Sequence, residues 1–384
     1  MGGWFRENIE RMAGYEPGFQ PADRNAIKLN TNENPYPPSP RVFEALAQLD
    51  GLSLRRYPAV LWNDLRSAAA ELHGVAPECV ACGNGGDELL ALLVRACCGP
   101  GRALAYPTPT YSLYPTLAAM QEAPVREYAF GPGGELPEGL SGAEAPLTIV
   151  CNPNAPTGTF APVEEVAALA RRAKGIVLID EAYVDFAAGN CLELLGRHEN
   201  VAILRSLSKG YSLAGMRVGY LLGSRRIIET TVKVKDSYNV SAAAQAAGAA
   251  ALRDQGWFSE NRRRIRAERE RLTAGLRELG FEAGKSHTNF LWAGIVEPPA
   301  RAVYEELARH NIYVRYFAAA GQADRLRITV GTPEQNDALL AALRAIRRGR
   351  GSSHGGANGA DHAKDGGNGH QPAAGAGRGG PVPG

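Results

Sequence analysis

From residue 41 onward the apolar positions follow two spacings in turn. Val42 to Leu49, Leu61 to Leu72, Asp87 to Cys98 and Thr110 to Met120 carry them at helical intervals. Between these stretches lie short aliphatic runs: Cys79–Cys82, Arg102–Tyr106, Val125–Phe130, Leu147–Cys151, Ile176–Ile179, Val201–Leu204 and Val218–Leu222. The later ones are unbroken and mostly β-branched, which predicts strands buried on both faces. Strands of that kind in alternation with helices predict the α/β class, with a mostly parallel sheet between helices. Near Ser241 the rhythm changes. An alanine-rich helix (Ala242–Leu252) and a long polar one (Trp257–Leu279) precede short strands near Phe290 and Arg327, with helices at Arg301–His310 and Glu334–Arg347. That is a smaller α+β unit. The expected organisation is an N-terminal segment 1–40 packing with the small unit, a large domain 41–280, a small domain 281–349 and a tail 350–384.

Composition adds the tail. Of the 45 glycines, 12 fall in residues 351–384, which have almost no large apolar side chain. Such a segment cannot bury enough surface to offset its ordering entropy and is expected to be disordered. Its His354, His362 and His370 are irregularly spaced and read as part of a solvated linker, so no metal site is expected. Lys plus Arg is 42 against Asp plus Glu 40, a net +2. That balance gives no global attraction to nucleic acid or to an acidic membrane. The arginines of the long helix, Arg262 to Arg271, alternate with Glu260, Glu268, Glu270 and Glu278, and read as a solvated face. No apolar run has the length of a membrane span or the form of a signal peptide. The six cysteines include one CxxC, Cys79 to Cys82, without a second. They read as reduced thiols, and the expected location is cytoplasmic.

Several motifs fail on one position. Gly83-Asn-Gly85-Gly86 is not a dinucleotide fingerprint, because Glu88 stands where the third glycine belongs. Gly284-Lys285-Ser286 lacks the first glycine of a P-loop. Ser206-Leu-Ser-Lys209 matches the SxxK of acyl-serine enzymes, but no SDN or KTG triplet completes that site. It is kept as a distant alternative from another class.

Another reading of Lys209 uses more of the chain. Lys209 follows the buried run Val201–Leu204, and Asp180 ends the run Ile176–Ile179. Both lie at carboxyl ends of parallel strands, where open α/β sheets bind ligands. A lysine and a carboxylate in one crevice suit an electrophilic cofactor that is a carbonyl, a pyridine and a phosphate: the lysine for a Schiff base, the carboxylate for the ring nitrogen. Alone, the two residues also read as an ion pair. Gly83-Asn-Gly85-Gly86-Asp87 joins a strand to a helix, and its small residues let backbone N–H groups face a phosphate. Ser206, Ser208 and Arg217 can add hydroxyls and charge. The glycine run is equally a plain turn. Tyr111, after Pro107-Thr-Pro109-Thr, can stack on a planar ring and is equally a core tyrosine.

In order, GNGGDE, YPTPTY, NPNAPTG, DEAY, SLSK and RxGY resemble the fold-type-I pyridoxal-5′-phosphate aminotransferases. Leu29-Asn-Thr-Asn-Glu-Asn-Pro35, Arg56-Tyr57-Pro58 and Leu326-Arg-Ile-Thr-Val-Gly331 resemble the histidinol-phosphate aminotransferase branch. The resemblance covers about residues 5–347. It implies pyridoxal 5′-phosphate as cofactor, with Lys209 as the Schiff-base lysine, Asp180 on the ring nitrogen, Tyr183 on the ring hydroxyl and Tyr111 stacked on the ring. Gly85, Gly86, Asp87, Ser206, Ser208 and Arg217 would hold the phosphate end. Tyr57 would reach the phosphate of a neighbouring subunit, so a homodimer is expected. Arg327 would clamp the carboxylate of glutamate or 2-oxoglutarate, with help from Asn32, and Arg315 and Tyr15 would meet the substrate phosphate.

One position departs from the pattern. The family's Asn before Pro-Thr-Gly is Ala155 here, within Asn152-Pro-Asn154-Ala-Pro-Thr-Gly158. Asn154 could reach the ring in its place, or Tyr183 could act alone. The expected reaction is transamination of histidinol phosphate with 2-oxoglutarate. Aromatic amino acid transamination and a threonine-phosphate-decarboxylase-like activity are the near alternatives.

Overall fold

The computed structural model describes residues 3–351, apart from Glu16 and Ala320. The tail expected from residue 350 lies outside the described residues from Ser352 on.

Seven strands form the main sheet: β2 (Val80–Gly83), β3 (Leu104–Thr108), β4 (Val125–Ala129), β5 (Leu147–Cys151), β6 (Ile176–Asp180), β7 (Val201–Ser206) and β8 (Gly219–Gly223), in the order β2-β8-β7-β6-β5-β3-β4. Strands β4, β3, β5, β6 and β7 run parallel, and β8 is antiparallel to both its neighbours. The sheet is therefore mostly parallel, as the unbroken aliphatic runs predict. Every residue of β5 and β7 is buried. Helices cover both faces, and the edge strand β4 is short and largely exposed, with charged Arg126 and Glu127 upon it. Such an edge resists pairing with other chains.

The register decides where the chemistry goes. Cys151 of β5 pairs with Asp180 of β6, and Asp180 pairs with Leu204 of β7. Three neighbouring strands thus end at one level, and the turns after them share one crevice.

The second sheet is antiparallel and four-stranded, in the order β12-β13-β10-β9: β9 is Glu282–Ala283, β10 Phe290–Gly294, β12 Arg315–Tyr316 and β13 Arg325–Thr329. A two-residue strand near the N-terminus, β1 (Ile27–Lys28), pairs in parallel with β11 (Ile312–Tyr313). Leu29, just after β1, is buried in one hydrophobic cluster with Leu291, Leu326 and Leu343. A separate, larger cluster fills both sides of the main sheet. The helix Gln255–Glu278 spans both, placing Phe258 in the large cluster and Leu272 and Leu276 in the small one.

That helix corrects one expectation. Arg263 and Arg264 are exposed and pair with Glu260, as a solvated face requires. Arg269, however, is buried and donates to the carbonyls of Phe186 and Thr288 at 3.2 and 2.9 Å. The helix is packed on its inner side, so one arginine of the run turns inward and joins the long helix to both units.

Candidate active site

A cavity of about 320 Å³ opens at the carboxyl ends of β5, β6 and β7. Of the residues singled out from sequence, all but Gly85, Asn154 and Tyr57 line it.

Its floor is built from the strand ends. Asp180 is 3% exposed. Its Oδ2 accepts a hydrogen bond from the Tyr114 hydroxyl at 2.7 Å, and its Oδ1 accepts from the Ala182 N–H at 3.1 Å. Burial pushes this carboxyl up to about 6, against the pull of those two donors. Tyr114 is fully buried and was not singled out from sequence. It sits three positions after Tyr111, in the first turn of the helix Leu113–Met120, and that spacing on a helix face is the one signal for it.

Lys209 lies three residues beyond β7. Its Nζ donates to the Thr31 carbonyl at 2.9 Å. Burial pulls the amine down to about 8, and the positive charges of Arg327 and Arg217 act in the same direction. Lys209 makes no hydrogen bond to Ser206, whose Oγ accepts from the Ser208 N–H at 3.2 Å. The base-to-nucleophile contact that an SxxK acyl-serine site needs is missing among the described residues.

One end of the cavity is an anion cradle. The helix Gly85–Cys97 begins at Asn84 without a side-chain cap. Its first N–H groups are therefore left for a ligand. Gly85 has φ of +79°, and a Cβ there would lie 2.5 Å from the Arg217 guanidinium. Only glycine accommodates both the backbone and the arginine. Gly85 thus supports the cradle from behind, while Gly86 lines it. Arg217 is itself held in the left-handed region, φ 52°, a strained conformation that surrounding contacts must maintain. Its Nη1 donates to Ser208 Oγ at 3.4 Å and its Nη2 pairs with Asp87 at 3.1 Å. Asp87 also accepts from the Tyr111 hydroxyl at 3.2 Å. Tyr111 in turn meets the rings of Tyr114 and Tyr15 edge-on, at 5.7 and 6.0 Å.

The opposite wall comes from the small sheet and the N-terminal segment. Asn32 donates to the Tyr183 hydroxyl at 3.0 Å and is tied to Thr329 and Asn289. Burial pushes the Tyr183 phenol up to about 12. Arg315 and Arg327 stand directly opposite each other on β12 and β13. Arg315 donates to the Pro17 carbonyl at 3.2 Å. Arg327 lies over the Phe290 and Phe317 rings and donates to the Asn30 carbonyl at 3.1 Å. Its Nε is buried with no hydrogen-bond partner, and no carboxylate pairs with it among the described residues. A buried polar atom left unpaired in a cavity points to a ligand that pairs with it.

Two expected residues are elsewhere. Asn154 is 2% exposed, and its amide is consumed by the turn: it donates to the Pro109 carbonyl and Thr157 Oγ1, both at 2.9 Å, and accepts from Thr110 at 3.0 Å. It does not reach into the cavity, whose wall at this point is Ala155 and Pro156. Tyr57 is 79% exposed, stacked on Tyr238 at 4.2 Å, and does not line this chain's own cavity.

The chain belongs to the aminotransferase class I and II family, whose profile matches residues 24–343. It is 45% identical to histidinol-phosphate aminotransferase 1 of Trichormus variabilis, over 91% of this chain and 100% of that protein. It is 44% identical to the histidinol-phosphate aminotransferase of Geobacter sulfurreducens, over 89% of this chain and 99% of that one. The crystal structure of histidinol-phosphate aminotransferase from Sinorhizobium meliloti in complex with pyridoxal-5′-phosphate superposes with a TM-score of 0.82 at 27% identity, over 91% of this chain and 99% of that one. This chain is an aminotransferase, and the family works with pyridoxal 5′-phosphate. The residues present fit that group: the cradle at Gly85 and Gly86 suits a phosphate, and a lysine and a buried carboxyl share the cavity beside it.

All six cysteines are unpaired. Among the described residues no helix is long and apolar enough to cross a membrane, and no His, Cys, Asp and Glu cluster could hold a metal ion.

Proposed function

We propose that this chain transfers the amino group of histidinol phosphate to 2-oxoglutarate, the transamination of histidine biosynthesis. The observation that carries the substrate is Arg327, a half-buried residue in the cavity wall whose Nε is buried with no hydrogen-bond partner among the described residues. A buried guanidinium nitrogen left without a partner favours an anion that pairs with it. A phosphate or a second carboxylate supplies that anion, and an aromatic side chain does not. The 45% and 44% identity to histidinol-phosphate aminotransferases over about nine-tenths of the chain ranks the aromatic and the decarboxylase-like alternatives lower.

Pyridoxal 5′-phosphate, when bound, supplies an electrophilic carbonyl for the amino group and a ring that withdraws electrons from the adjacent carbon. In this chain Gly85, Gly86, Ser206, Ser208 and Arg217 would hold its phosphate. Asp87 would keep Arg217 and Tyr111 in place, and Tyr111 would flank the ring. Asp180 would face the ring nitrogen, with Tyr114 fixing its rotamer. Tyr183, oriented by Asn32, would donate to the ring hydroxyl without help from Asn154. Lys209 Nζ is the base: an amine near 8 takes a proton from the substrate carbon close to neutral pH. Arg327 binds carboxylate in a bidentate manner, and Arg315 and Tyr15 bind the substrate phosphate.

The reading includes a cytoplasmic homodimer. Exposed Tyr57, with Leu54 69% exposed nearby, supports delivery of Tyr57 to a second copy's cradle. It also includes a division into a segment 1–40, a large domain 41–280 and a small domain 281–349, supported by the two hydrophobic clusters.

The test is direct. The purified protein takes up pyridoxal phosphate and turns yellow, and Lys209→Ala abolishes amino transfer. A wild type that takes up none overturns the reading. For the substrate, Arg315→Ala reduces the half-reaction with histidinol phosphate more than that with phenylalanine, and the reverse pattern overturns the assignment.

A further inference from the structure

The last main-sheet bonds of β7 are made by Ser206, and the Leu207 N–H still reaches the Val218 carbonyl. Lys209 stands beyond that support, in a turn. A lysine amine on four rotatable carbons goes where its backbone sends it, so something else must hold this turn.

The stretch Thr31–Asn34, from the N-terminal segment, meets it. Thr31 accepts from Lys209 Nζ. Asn32 holds the Tyr183 hydroxyl. The Asn34 amide group donates to two successive carbonyls, those of Lys209 at 2.9 Å and Gly210 at 3.2 Å. Asn34 Oδ1 accepts from the Tyr36 N–H at 3.0 Å, which fixes the amide so that its NH2 faces those carbonyls. On the other side, the Asp185 carboxylate lies against Gly210 so closely that a Cβ there would collide with it. The Lys209–Gly210 turn is gripped from both sides.

We infer that Asn34 is a positioning residue for Lys209: by spanning the Lys209 and Gly210 carbonyls it ties the place of the lysine amine to the N-terminal segment that forms the opposite wall. The inference rests on the reading of Lys209 as the residue that carries the cofactor. Its consequence is a coupling. Whatever orders the N-terminal segment against a bound substrate also sets the lysine.

The experiment uses the holoenzyme and two variants, Asn34→Leu, which keeps the volume and removes the donors, and Asn34→Ala. Misplacing a reacting group by about 1 Å costs up to about 10²-fold. Both variants are therefore expected to lower kcat about 10- to 100-fold with KM changed less than about 2-fold. They are also expected to shift the pH midpoint of the bound cofactor's absorbance and to slow uptake of pyridoxal phosphate by cofactor-free protein. A merely structural asparagine would lower the melting temperature and leave the kcat, the absorbance titration and the uptake rate of the folded fraction unchanged, and that result overturns the inference. Should both Asn34 variants fail to fold, Asn34→Ser decides: it stays polar and neutral but is too short to span the Lys209 and Gly210 carbonyls, so a shifted absorbance midpoint supports the inference and an unshifted one overturns it. A wild type that binds no pyridoxal phosphate sinks the functional reading instead, so the two failures are distinguishable.

Discussion

The floor and the opposite wall of the cavity are built in opposite ways. Asp180 on the floor is complete within the protein: both oxygens have donors, and Tyr114 and the Ala182 N–H fix its rotamer. Arg327 on the wall is incomplete, a half-buried guanidinium whose Nε is buried with no partner among the described residues. The floor comes from neighbouring strands that end in register. The wall comes from two-residue β12, from β13 and from a segment some three hundred positions away in sequence, about the separation between Asn32 and its partner Thr329. Chemistry that must be the same at every turnover is preorganised by the protein. Recognition is left open, because a ligand anion completes it and an unpaired buried charge rejects whatever cannot.

The contrast is broken most severely from the floor. Asp180→Asn removes the negative charge from the cavity floor while preserving shape. It is expected to lower kcat by about 10³-fold, within the range of a lost proton-holding group. Single-turnover absorbance changes with histidinol phosphate and with glutamate would both slow, because both half-reactions use the floor. An effect on one donor alone would show that Asp180 belongs to recognition. From the wall, Arg327→Ala is expected to lower kcat/KM in the glutamate half-reaction by about 10²-fold, the loss of a charged, two-bond contact. The histidinol phosphate half-reaction, with Arg315 still in place, should lose less. Equal losses in both would mean that the two arginines act as one phosphate clamp.

The same contrast explains what could be read from the sequence. Lys209 and Asp180 were legible because long aliphatic runs mark buried parallel strands, and the ends of such strands converge. The run at Gly85 and Gly86 reads equally as a plain turn, and it takes the uncapped helix start and the Arg217 guanidinium against Gly85 to favour a cradle. Asn154 was misplaced by one turn: its position beside Ala155 says nothing about side-chain direction, and Pro109, Thr110 and Thr157 claim its amide. Asn34 was overlooked because it bonds to backbone carbonyls, which any residue offers, so no pattern at Lys209 announces it. Arg269 hid in an arginine run, where only the packing of the helix distinguishes a solvated position from an inward one. Strands β9, β11 and β12 are too short, at two residues each, to carry any period.

The smallest expected effect is on stability, and it has the sign opposite to that on activity. Asp180 has a folded-state pKa of about 6, above the ordinary 3.8. A carboxyl raised in this way binds its proton more tightly folded than unfolded, so its ionisation costs stability. The cost is absent below about 3.8, grows as pH rises through that window and is complete above about 6. A shift of about two units corresponds to at most about 3 kcal/mol. Asp180→Asn removes the charge and keeps one oxygen for the Ala182 N–H, although its amide faces the Tyr114 hydroxyl less favourably than a carboxylate does. The cofactor-free variant is therefore expected to melt a few degrees above the cofactor-free wild type at pH 7 to 8, on a scale of about 2–4 °C per kcal/mol. The two should converge as pH falls towards 4. A variant that melts below wild type at pH 8 would mean that Tyr114 and the Ala182 N–H already stabilise the ionised carboxylate fully, leaving no strain on the floor for a bound cofactor to relieve.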